Sequence, residues 1–453
     1  MQTYQNEFQR LKAVKNFVRA RFPWFGVNKA QEITRLLYEI SKKHGDASIF
    51  HEEKIGKNRN VPMLYAGIKK YLLSQRFPES LMVDQNIRPY LPKIELNKEE
   101  QLEIKVKKFY PKNIFVEDAV WESALAKRLR NLFPRARFSR IESLKIYECS
   151  HRGLGIKDYN KRQETVFVVS ETQDFFKRCP CTKSAVGCGY HVFNLGFGCI
   201  YECTYCFLQE YTNAPGIILP ANTESFFNNF SSYKRQGMRI GTGEFSDSLA
   251  LDDLTGYSLS IIDFFSRHKD VRFEFKTKSN NIGNLLKSNH AGNIVVSWSL
   301  NPPKIIRENE FYSASFAQRL SAAQICAQAG YKLGFHFDPV IYFAGWEKEY
   351  KTLIIELFSK ITPQDIAWVS VGTLRFVPGL KQIIEKRFSN NKILNAEMLL
   401  GYDNKLRYAY HVRFKIYKVM LKALLKYLPK PKVYLCMEEA HMWKDLGLEA
   451  RRI

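Results

Sequence analysis

The chain has 453 residues and a formal net charge of +24, with 69 Lys and Arg against 45 Asp and Glu. Hydrophobic residues make up 45% of it and charged residues 25%, which is typical of a soluble globular protein of two or three domains. No run of about 18 apolar residues occurs, which argues against a membrane span. The first residues lack the apolar core of a signal peptide, so we expect a cytoplasmic protein without stable membrane association.

The positive charge favours a polyanionic partner. A field of this size attracts nucleic acids, and basic residues alternate with aromatic ones in several segments. The simpler alternative is a solvated lysine surface. The segments are Arg19–Trp24, Lys107–Lys112 and Arg407–Lys418.

Residues 1–100 are predicted to form a helical and basic N-terminal region. Apolar residues recur at helical spacing in 8–18 and 33–40, and 63–73 is predicted as a third helix. A loop is predicted at 58–62. The region is either a nucleic-acid-binding appendage or a helical cap on the main domain, and it carries no helix-turn-helix signature.

Residues 101–178 are predicted to form a small α/β lead-in. Short apolar strands alternate here with a helix at 123–133, and such alternation is typical of a parallel sheet. The predicted strands are 113–116, 136–141 and 164–170.

Six of the nine cysteines fall between Cys179 and Cys206, which indicates metal or redox chemistry in a cytoplasmic chain. Cys199, Cys203 and Cys206 form a Cys-x3-Cys-x2-Cys run after the predicted strand 191–195. Thiolates are the usual ligands of iron–sulfur clusters, and three of them can hold a cubane whose fourth iron stays open to a small molecule. A zinc loop would favour paired Cys-x2-Cys knuckles with a fourth ligand nearby, and none follows.

This spacing, with Tyr205 just before the last cysteine, resembles the signature of the radical S-adenosylmethionine (radical SAM) superfamily. More narrowly, Cys-Phe-Leu-Gln from Cys206 and the preceding Tyr-Glu-Cys-Thr-Tyr resemble the spore photoproduct lyase family, and the similarity extends over residues 109–447. The resemblance implies a [4Fe-4S] cluster on Cys199, Cys203 and Cys206, S-adenosyl-L-methionine as cofactor, and an electron donor such as flavodoxin or ferredoxin. It further implies reductive cleavage of the cofactor to a 5′-deoxyadenosyl radical, which abstracts hydrogen from a substrate.

Strands and helices alternate regularly through residues 179–380. The pattern gives six strands, which matches the radical SAM partial (β/α)6 barrel that the resemblance implies, with ligands at the carboxyl ends of the strands. The predicted strands are 191–195, 238–243, 271–278, 294–301, 332–340 and 366–374. The predicted helices are 254–268, 282–287, 316–329 (closed by Gly330) and 347–360.

The resemblance implies that polar residues at these strand ends bind the cofactor. Gly243 and Glu244 match a segment that binds the methionine ammonium, for which a carboxylate is a strong partner. Ser246 is a further contact, with a helix N-cap as the alternative. Lys278 and Ser299 match residues that reach the cofactor's carboxylate and ribose.

His336 could contact the adenosine or the substrate, although a satisfied histidine inside the barrel is the commoner outcome. At the position of the family's hydrogen-donor cysteine the chain has Glu244, and Phe207 replaces the tyrosine that follows the third cluster cysteine in the family. Tyr205 remains, so Tyr205 and Glu244 are the catalytic candidates, and Tyr205 is also a candidate cofactor contact. A carboxylate cannot give up a hydrogen atom as a thiol can, which favours a different substrate or a different end to the reaction.

Cys179, Cys181 and Cys188 form a second triplet just before the first barrel strand. They predict either a second metal site, structural or an auxiliary cluster, or thiols that simply pack beside the barrel. The candidates for a fourth ligand are Cys149, Cys436 and His191.

Residues 381–453 are predicted as a C-terminal extension with a long basic helix over 404–427 and a closing strand over 433–438. The helix suits nucleic acid or a membrane surface, or it covers the barrel with a solvated basic side.

Together these observations predict a radical SAM enzyme of the carbon–carbon lyase type, acting on DNA or another nucleic acid in repair or modification. One alternative is a radical SAM enzyme that modifies a protein or small molecule. The other is a nucleic-acid-binding protein whose cluster is structural or sensory.

Overall fold

The computed structural model describes residues 6–44, 61–105, 108–151, 153–171, 176–182, 184–211 and 215–449. The chain forms two compact units, one from residues 1–103 and 375–412 and the other from 104–374 and 413–453. The four ranges predicted from the sequence did not anticipate that 375–412 groups with the N-terminal residues. Residues 58–60 of the predicted loop lie outside the described residues.

The helices of the described residues are, in chain order, α1 (Glu7–Arg21), α2 (Val27–His44), α3 (Val61–Arg76), α4 (Pro78–Val83), α5 (Ala124–Leu132), α6 (Leu144–Ser150), α7 (Ile156–Asn160), α8 (Glu224–Tyr233), α9 (Asp252–Thr255), α10 (Tyr257–Ser266), α11 (Pro303–Asn309), α12 (Phe316–Gln328), α13 (Trp346–Lys360), α14 (Pro378–Arg387), α15 (Tyr410–Leu424) and α16 (Ala440–Asp445). None of them is both long and apolar enough to cross a bilayer.

The strands are β1 (Asn113–Glu117), β2 (Arg137–Ile141), β3 (Thr165–Val169), β4 (Phe176–Arg178), β5 (Tyr190–Phe193), β6 (Glu202–Cys203), β7 (Ile217–Pro220), β8 (Arg239–Gly241), β9 (Arg272–Thr277), β10 (Ile294–Ser299), β11 (Glu310–Phe311), β12 (Lys332–Val340), β13 (Ile366–Thr373), β14 (Arg375–Phe376), β15 (Met398–Leu400), β16 (Leu406–Tyr408) and β17 (Val433–Leu435).

The second unit contains the predicted barrel. The six predicted strands, β5, β8, β9, β10, β12 and β13, lie side by side in this order, and every neighbouring pair is parallel. Strand β17 extends the sheet in parallel beyond β13, and β4 extends it in antiparallel beyond β5. Because the strands are parallel, the segments that follow β5, β8, β9 and β10 meet at one edge of the sheet.

The predicted α/β lead-in is confirmed as a four-stranded parallel sheet in the order β2-β1-β3-β7. Its fourth strand, β7, follows the cysteine loop and was not predicted as a strand. The chain therefore returns to the lead-in sheet immediately after the loop, so this sheet holds the loop from both sides.

Three predicted helix boundaries were wrong, each for a local reason. The helix predicted over 404–427 begins only at Tyr410, because Asn404 has a φ of 57° and starts a turn into β16. The helix predicted over 254–268 divides at Gly256, whose φ is 69°. At 282–287 only a single 3₁₀ turn forms, Leu285–Lys287. Gly330 follows α12 with a φ of 87°, as predicted.

In the first unit, the helical spacing predicted for the N-terminal residues is confirmed. The side chains of Leu11, Val14 and Val18 are buried on one face of α1, where they share an apolar core with α2 and α3. Asn6 caps α1 by accepting a hydrogen bond from the Gln9 N–H at 3.0 Å.

A buried carboxylate joins three cations in the same unit. Glu39 of α2 lies 2.7 Å from the Nε of Arg76, 2.7 Å from the Nζ of Lys381 and 3.4 Å from Nη1 of Arg35. Burial alone would raise the pKa of Glu39, but these three charges together hold it well below its usual range. The ionised carboxylate therefore connects α2, α3 and α14.

We expect Glu39→Ala to lower the free energy of unfolding of the first unit by about 3–5 kcal/mol, because it leaves buried cations without their anion. Urea unfolding at pH 7 measures this loss. Glu32→Ala is the control, since Glu32 pairs with Lys69 at 2.6 Å with both side chains about one-third exposed; its cost should stay below about 1 kcal/mol. Because the folded-state pKa of Glu39 is lowered, its contribution should disappear as the pH falls below about 4.3, the ordinary glutamate value.

Candidate active site

The cysteine loop begins directly after β5, at the edge where the barrel strands end. Gly196 and Gly198 have φ values of 80° and 95°, and a Cβ on Gly196 would lie 2.1 Å from the carbonyl oxygen of Ile218. Only glycine fits there. The N–H of Phe197 donates to the same carbonyl at 3.0 Å, and that of Gly198 donates to the carbonyl of Phe245 at 2.9 Å. The loop is thus fixed both to β7 and to the segment after β8.

The three cysteines of the motif are free thiols grouped in this loop. Burial raises their pKa values, that of Cys199 to about 12, and the charge on Cys206 raises the pKa values of Cys199 and Cys203 further. Their sulfurs therefore lie within electrostatic reach of one another. In the described part of the chain, no three His, Cys, Asp or Glu side chains converge on a single-ion site. A cluster fits this donor set better than a zinc ion, because each cluster ligand binds a separate iron.

A buried arginine from the lead-in holds the backbone of this loop. Arg162 forms an ion pair with Glu202 at 2.5 Å, and its Nη2 donates to the carbonyls of Cys199 and Tyr201, each at 2.9 Å. The neighbouring Gln163 donates to the carbonyl of Ile200 at 2.7 Å. Consecutive carbonyls of the loop are therefore held by two side chains that precede β3.

A buried glutamine holds the second half of the loop in the same way. The Nε2 of Gln209 lies 3.2, 2.8 and 3.1 Å from the carbonyl oxygens of Cys203, Thr204 and Cys206. The Thr204 hydroxyl donates to the side chain of Asn309 at 2.8 Å. The positions of the second and third cysteines thus depend on side chains that bind no metal.

The hydroxyl of Tyr205 donates a hydrogen bond to Glu310, which is completely buried. Glu310 also binds Arg319 at 2.6 Å and the amide of Asn301 at 2.8 Å. Burial would raise the pKa of Glu310, but the charges of Arg319 and Lys278 and these hydrogen bonds lower it to about 2. The phenol of Tyr205 is therefore held beside a permanent anion.

Lys278 lies at the end of β9, close to the cluster thiols. Burial raises the pKa values of Cys203 and Cys206, and the Lys278 ammonium partly offsets this effect in both. The backbone N–H of Lys278 donates a hydrogen bond to the Asp247 carboxylate at 2.7 Å. A cation fixed here suits both the thiolates of a cluster and an anionic group of a cofactor.

Gly243 and Glu244 follow β8, as predicted. Gly243 has a φ of 99°, and a Cβ there would lie 3.1 Å from the Cβ of Lys276, which explains the glycine. The carboxylate of Glu244 forms an ion pair with Lys177 of β4 at 2.9 Å. A cofactor ammonium would have to share or displace that lysine, and the role of Glu244 stays a prediction.

Ser246 and Asp247 line a cleft beside Cys199. Asp247, rather than Ser246, caps the turn that follows, since its carboxylate accepts two backbone N–H groups there at 3.0 and 2.9 Å. The Ser246 hydroxyl makes only a long contact of 3.5 Å to the Leu195 carbonyl and is free to meet a ligand in the cleft.

Ser299 and His336 lie opposite each other on β10 and β12. Both side chains are buried. The Nε2 of His336 is 2.8 Å from Glu274 and its Nδ1 is 2.6 Å from the Ser370 hydroxyl, while burial lowers its pKa. Both ring nitrogens have protein partners, which matches the alternative of a satisfied histidine inside the barrel.

The second cysteine triplet, Cys179, Cys181 and Cys188, lies in the segment between β4 and β5. Of the three candidates for a fourth ligand, the thiol of Cys436 lies within electrostatic reach of Cys179. Cys149 is exposed on α6, and His191 packs edge-on against Tyr233 of α8 at 5.8 Å.

The model of the spore photoproduct lyase family matches residues 109–434. The chain belongs to the spore photoproduct lyase family. The spore photoproduct lyase of Geobacillus sp. (strain Y412MC61) is 27% identical over 300 residues, which are 64% of this chain and 85% of the relative. That of Bacillus subtilis (strain 168) is 26% identical over 300 residues, 63% of this chain and 84% of the relative. The alignment with the Clostridium acetobutylicum lyase, at 26% identity, spans 201 residues and 60% of that protein.

A solved structure of a spore photoproduct lyase double mutant with bound AdoMet and dinucleoside spore photoproduct has a TM-score of 0.62 to this chain. It is 25% identical and covers 74% of this chain, which in turn covers 100% of it. Membership in this lyase family confirms the predicted radical SAM enzyme class, its S-adenosylmethionine and [4Fe-4S] cofactors and the partial barrel. Residues 1–103 precede the matched region.

We expect Arg162→Met to reduce the iron content of the reconstituted protein to less than half, since Glu202 would be buried without a cation and two loop carbonyls would lose their donor. Iron analysis after anaerobic reconstitution measures the effect. Arg137→Met on the exposed face of β2 is the control and should retain full iron. Full iron in Arg162→Met as well would show that the loop does not depend on this guanidinium.

Proposed function

We propose that this chain binds a [4Fe-4S] cluster through Cys199, Cys203 and Cys206 and uses S-adenosylmethionine to abstract hydrogen from a nucleic acid, in repair or modification of DNA. The observation that carries the proposal is the position of the three thiols. They lie at the edge where the barrel strands end, next to the cleft of Ser246 and Asp247. When bound, the cluster and S-adenosylmethionine supply the carbon-centred radical that removes the hydrogen atom.

The residues of the chain position these groups and exclude water from them. Arg162 and Gln209 fix the loop backbone, and Lys278 supplies positive charge beside Cys203 and Cys206. Glu310, held ionised by Arg319, keeps Tyr205 in place. Such fixed dipoles and charges in a buried site need no reorganisation during the reaction.

A nucleic-acid substrate is supported by two independent facts. The solved relatives include a spore photoproduct lyase complexed with dinucleoside spore photoproduct, a fragment of DNA. The net charge of +24 favours binding of a polyanion. An electron donor such as a flavodoxin or ferredoxin is part of the proposal, because the cluster must be reduced before each cleavage.

In this proposal, the substrate radical is quenched in a different way from that of a lyase with a thiol hydrogen donor. The position that the resemblance assigns to the donor cysteine is Glu244, and its carboxylate is paired with Lys177. A carboxylate cannot return a hydrogen atom to a substrate radical. We therefore propose that the radical is quenched by another group, or that the product is a modified rather than a repaired base.

We expect the anaerobically reconstituted protein to cleave S-adenosylmethionine to 5′-deoxyadenosine under strong reductant, and Cys203→Ala to abolish the cleavage. Lys278→Met should keep its iron but raise the KM for S-adenosylmethionine about 10- to 100-fold, the effect of losing one charged hydrogen bond. Lys287→Met, at an exposed position, is the matched control. Absence of cleavage by the wild-type chain would contradict the proposal.

The substrate class is tested with DNA that carries deuterated thymidine and the spore photoproduct. We expect deuterium to appear in 5′-deoxyadenosine, and the affinity for DNA to fall at least about tenfold between 50 and 200 mM salt. Cleavage of S-adenosylmethionine without deuterium transfer, together with salt-insensitive or absent DNA binding, would instead favour a protein or small molecule as substrate.

A further inference from the structure

The two ends of the barrel sheet are joined by the segment between β4 and β5. Strands β4 and β17 are the outermost strands of the eight-stranded sheet. The N–H of Val186 donates to the carbonyl of Glu438 at 2.9 Å, and Ala185 forms a β-bridge with Glu439. The segment that leaves one end of the sheet therefore pairs with the residues that follow the other end. We call this junction the seam, formed by residues 179–189 (except 183) and 436–439.

Four of the nine cysteines lie in the seam, three on one side and one on the other. The N–H of Cys179 donates to the Tyr190 carbonyl at 2.9 Å, and that of Cys436 donates to the Val371 carbonyl at 2.8 Å. Both cysteines are thus fixed to barrel strands by their backbones. The cysteines of the seam are Cys179, Cys181, Cys188 and Cys436.

The four thiols share one small region. A hydrogen bond with Cys181 and burial raise the pKa of Cys179, and charges on Cys436 and Cys188 raise it further. The pKa of Cys188 is raised by burial and by Cys181. The hydroxyl of Thr182, next to Cys181, donates to the sulfur of Met437, next to Cys436, at 3.5 Å, so the two sides of the seam meet beside their cysteines.

Three buried hydrogen-bond donor atoms, on two residues next to these thiols, have no acceptor among the described residues. They are the Nε and Nη1 of Arg239 and the hydroxyl of Tyr190. Arg239 is 3% exposed, it lowers the pKa of Cys188, and its guanidinium lies 3.8 Å from the ring centre of Trp368. Its Nη2 lies 4.0 Å from Glu274, so an anion is already beside the guanidinium, but burying the Nε and Nη1 groups without an acceptor is costly. An anionic metal–thiolate group at the seam would supply that acceptor.

The number of the thiols suits a cluster, because four cysteines are the complete ligand set of a [4Fe-4S] cluster. Sulfurs on a tetrahedral zinc lie about 3.8 Å apart, given zinc–sulfur bonds of about 2.3 Å, and within the described ranges no three ligand side chains meet in such an arrangement. The same holds for Cys199, Cys203 and Cys206, whose family uses a [4Fe-4S] cluster. Sulfides of such clusters accept hydrogen bonds from nearby donors, which suits Arg239 and Tyr190.

We propose that Cys179, Cys181, Cys188 and Cys436 bind a second [4Fe-4S] cluster, which ties the two ends of the barrel sheet together. Four protein ligands leave no iron open, so this cluster does not bind S-adenosylmethionine. The proposal depends on the seam alone and does not require the proposed function.

The test is iron and sulfide analysis of the full chain after anaerobic reconstitution. We expect about eight irons and eight sulfides per chain, as two [4Fe-4S] clusters require. The variant Cys199→Ala/Cys203→Ala/Cys206→Ala should keep about four irons and lose all cleavage of S-adenosylmethionine. The variant Cys179→Ala/Cys181→Ala/Cys188→Ala/Cys436→Ala should also keep about four irons.

Cys149→Ala and Cys326→Ala are the matched controls, because neither residue lies in the seam or the cysteine loop, and both should keep the full iron content. Cys436→Ser alone guards against misfolding of the quadruple variant: it should lose about four irons while its far-ultraviolet circular dichroism stays unchanged. Complete loss of iron when Cys199, Cys203 and Cys206 are replaced would overturn the second cluster, as would one zinc per chain. Failure to cleave S-adenosylmethionine with about eight irons present would count against the proposed function only.

Discussion

The site depends on one buried cation, Arg162. Moving a guanidinium out of water costs several kcal/mol, and here Glu202 and the carbonyls of Cys199 and Tyr201 together offset that cost. Arg162 comes from the turn before β3, and the chain returns to the same sheet as β7 once the cysteine loop is complete. The lead-in sheet is therefore the support that holds the cysteine loop, and it is required for the site although it supplies no ligand.

The charges around the loop are arranged in opposite pairs rather than scattered. Glu310 is held ionised by Arg319, Glu202 is paired with Arg162, and Glu244 is paired with Lys177. The Lys278 ammonium lowers the pKa values of both Cys203 and Cys206, and Arg162 lowers those of Cys199 and Cys206. These ion pairs fix the positions of charged groups near the carboxyl ends of the barrel strands before any cofactor binds.

Most of the fold could be predicted because each element is marked by residues within it or directly next to it in the sequence. Each barrel strand is a short buried apolar run, and Gly330 marks a helix end within a few residues of the pattern it closes. Arg162 and Glu310 were not predictable from the sequence, since an arginine and a glutamate outside any motif carry no local sign of partners 40 and 9 residues away. His336 itself was a predicted candidate, but its partner Glu274 was not predictable, because it lies 62 residues earlier on another strand. The helix predicted over 404–427 begins only at Tyr410, because Asn404 adopts a left-handed backbone conformation that interrupts the helical spacing of the sequence.

The first unit is discontinuous in sequence, with residues 1–103 completed by residues 375–412. During synthesis, Glu39 therefore lacks its partner Lys381 until the barrel strands, which lie between the two residues in the sequence, have been made. At about 5–20 residues per second this interval lasts roughly 15 to 60 s. During this interval the N-terminal helices lack the Lys381 ammonium of their buried charge network. Strand β17 is made later still. The nascent chain therefore holds two incomplete units at the same time, until residues 375–412 and then β17 have been made.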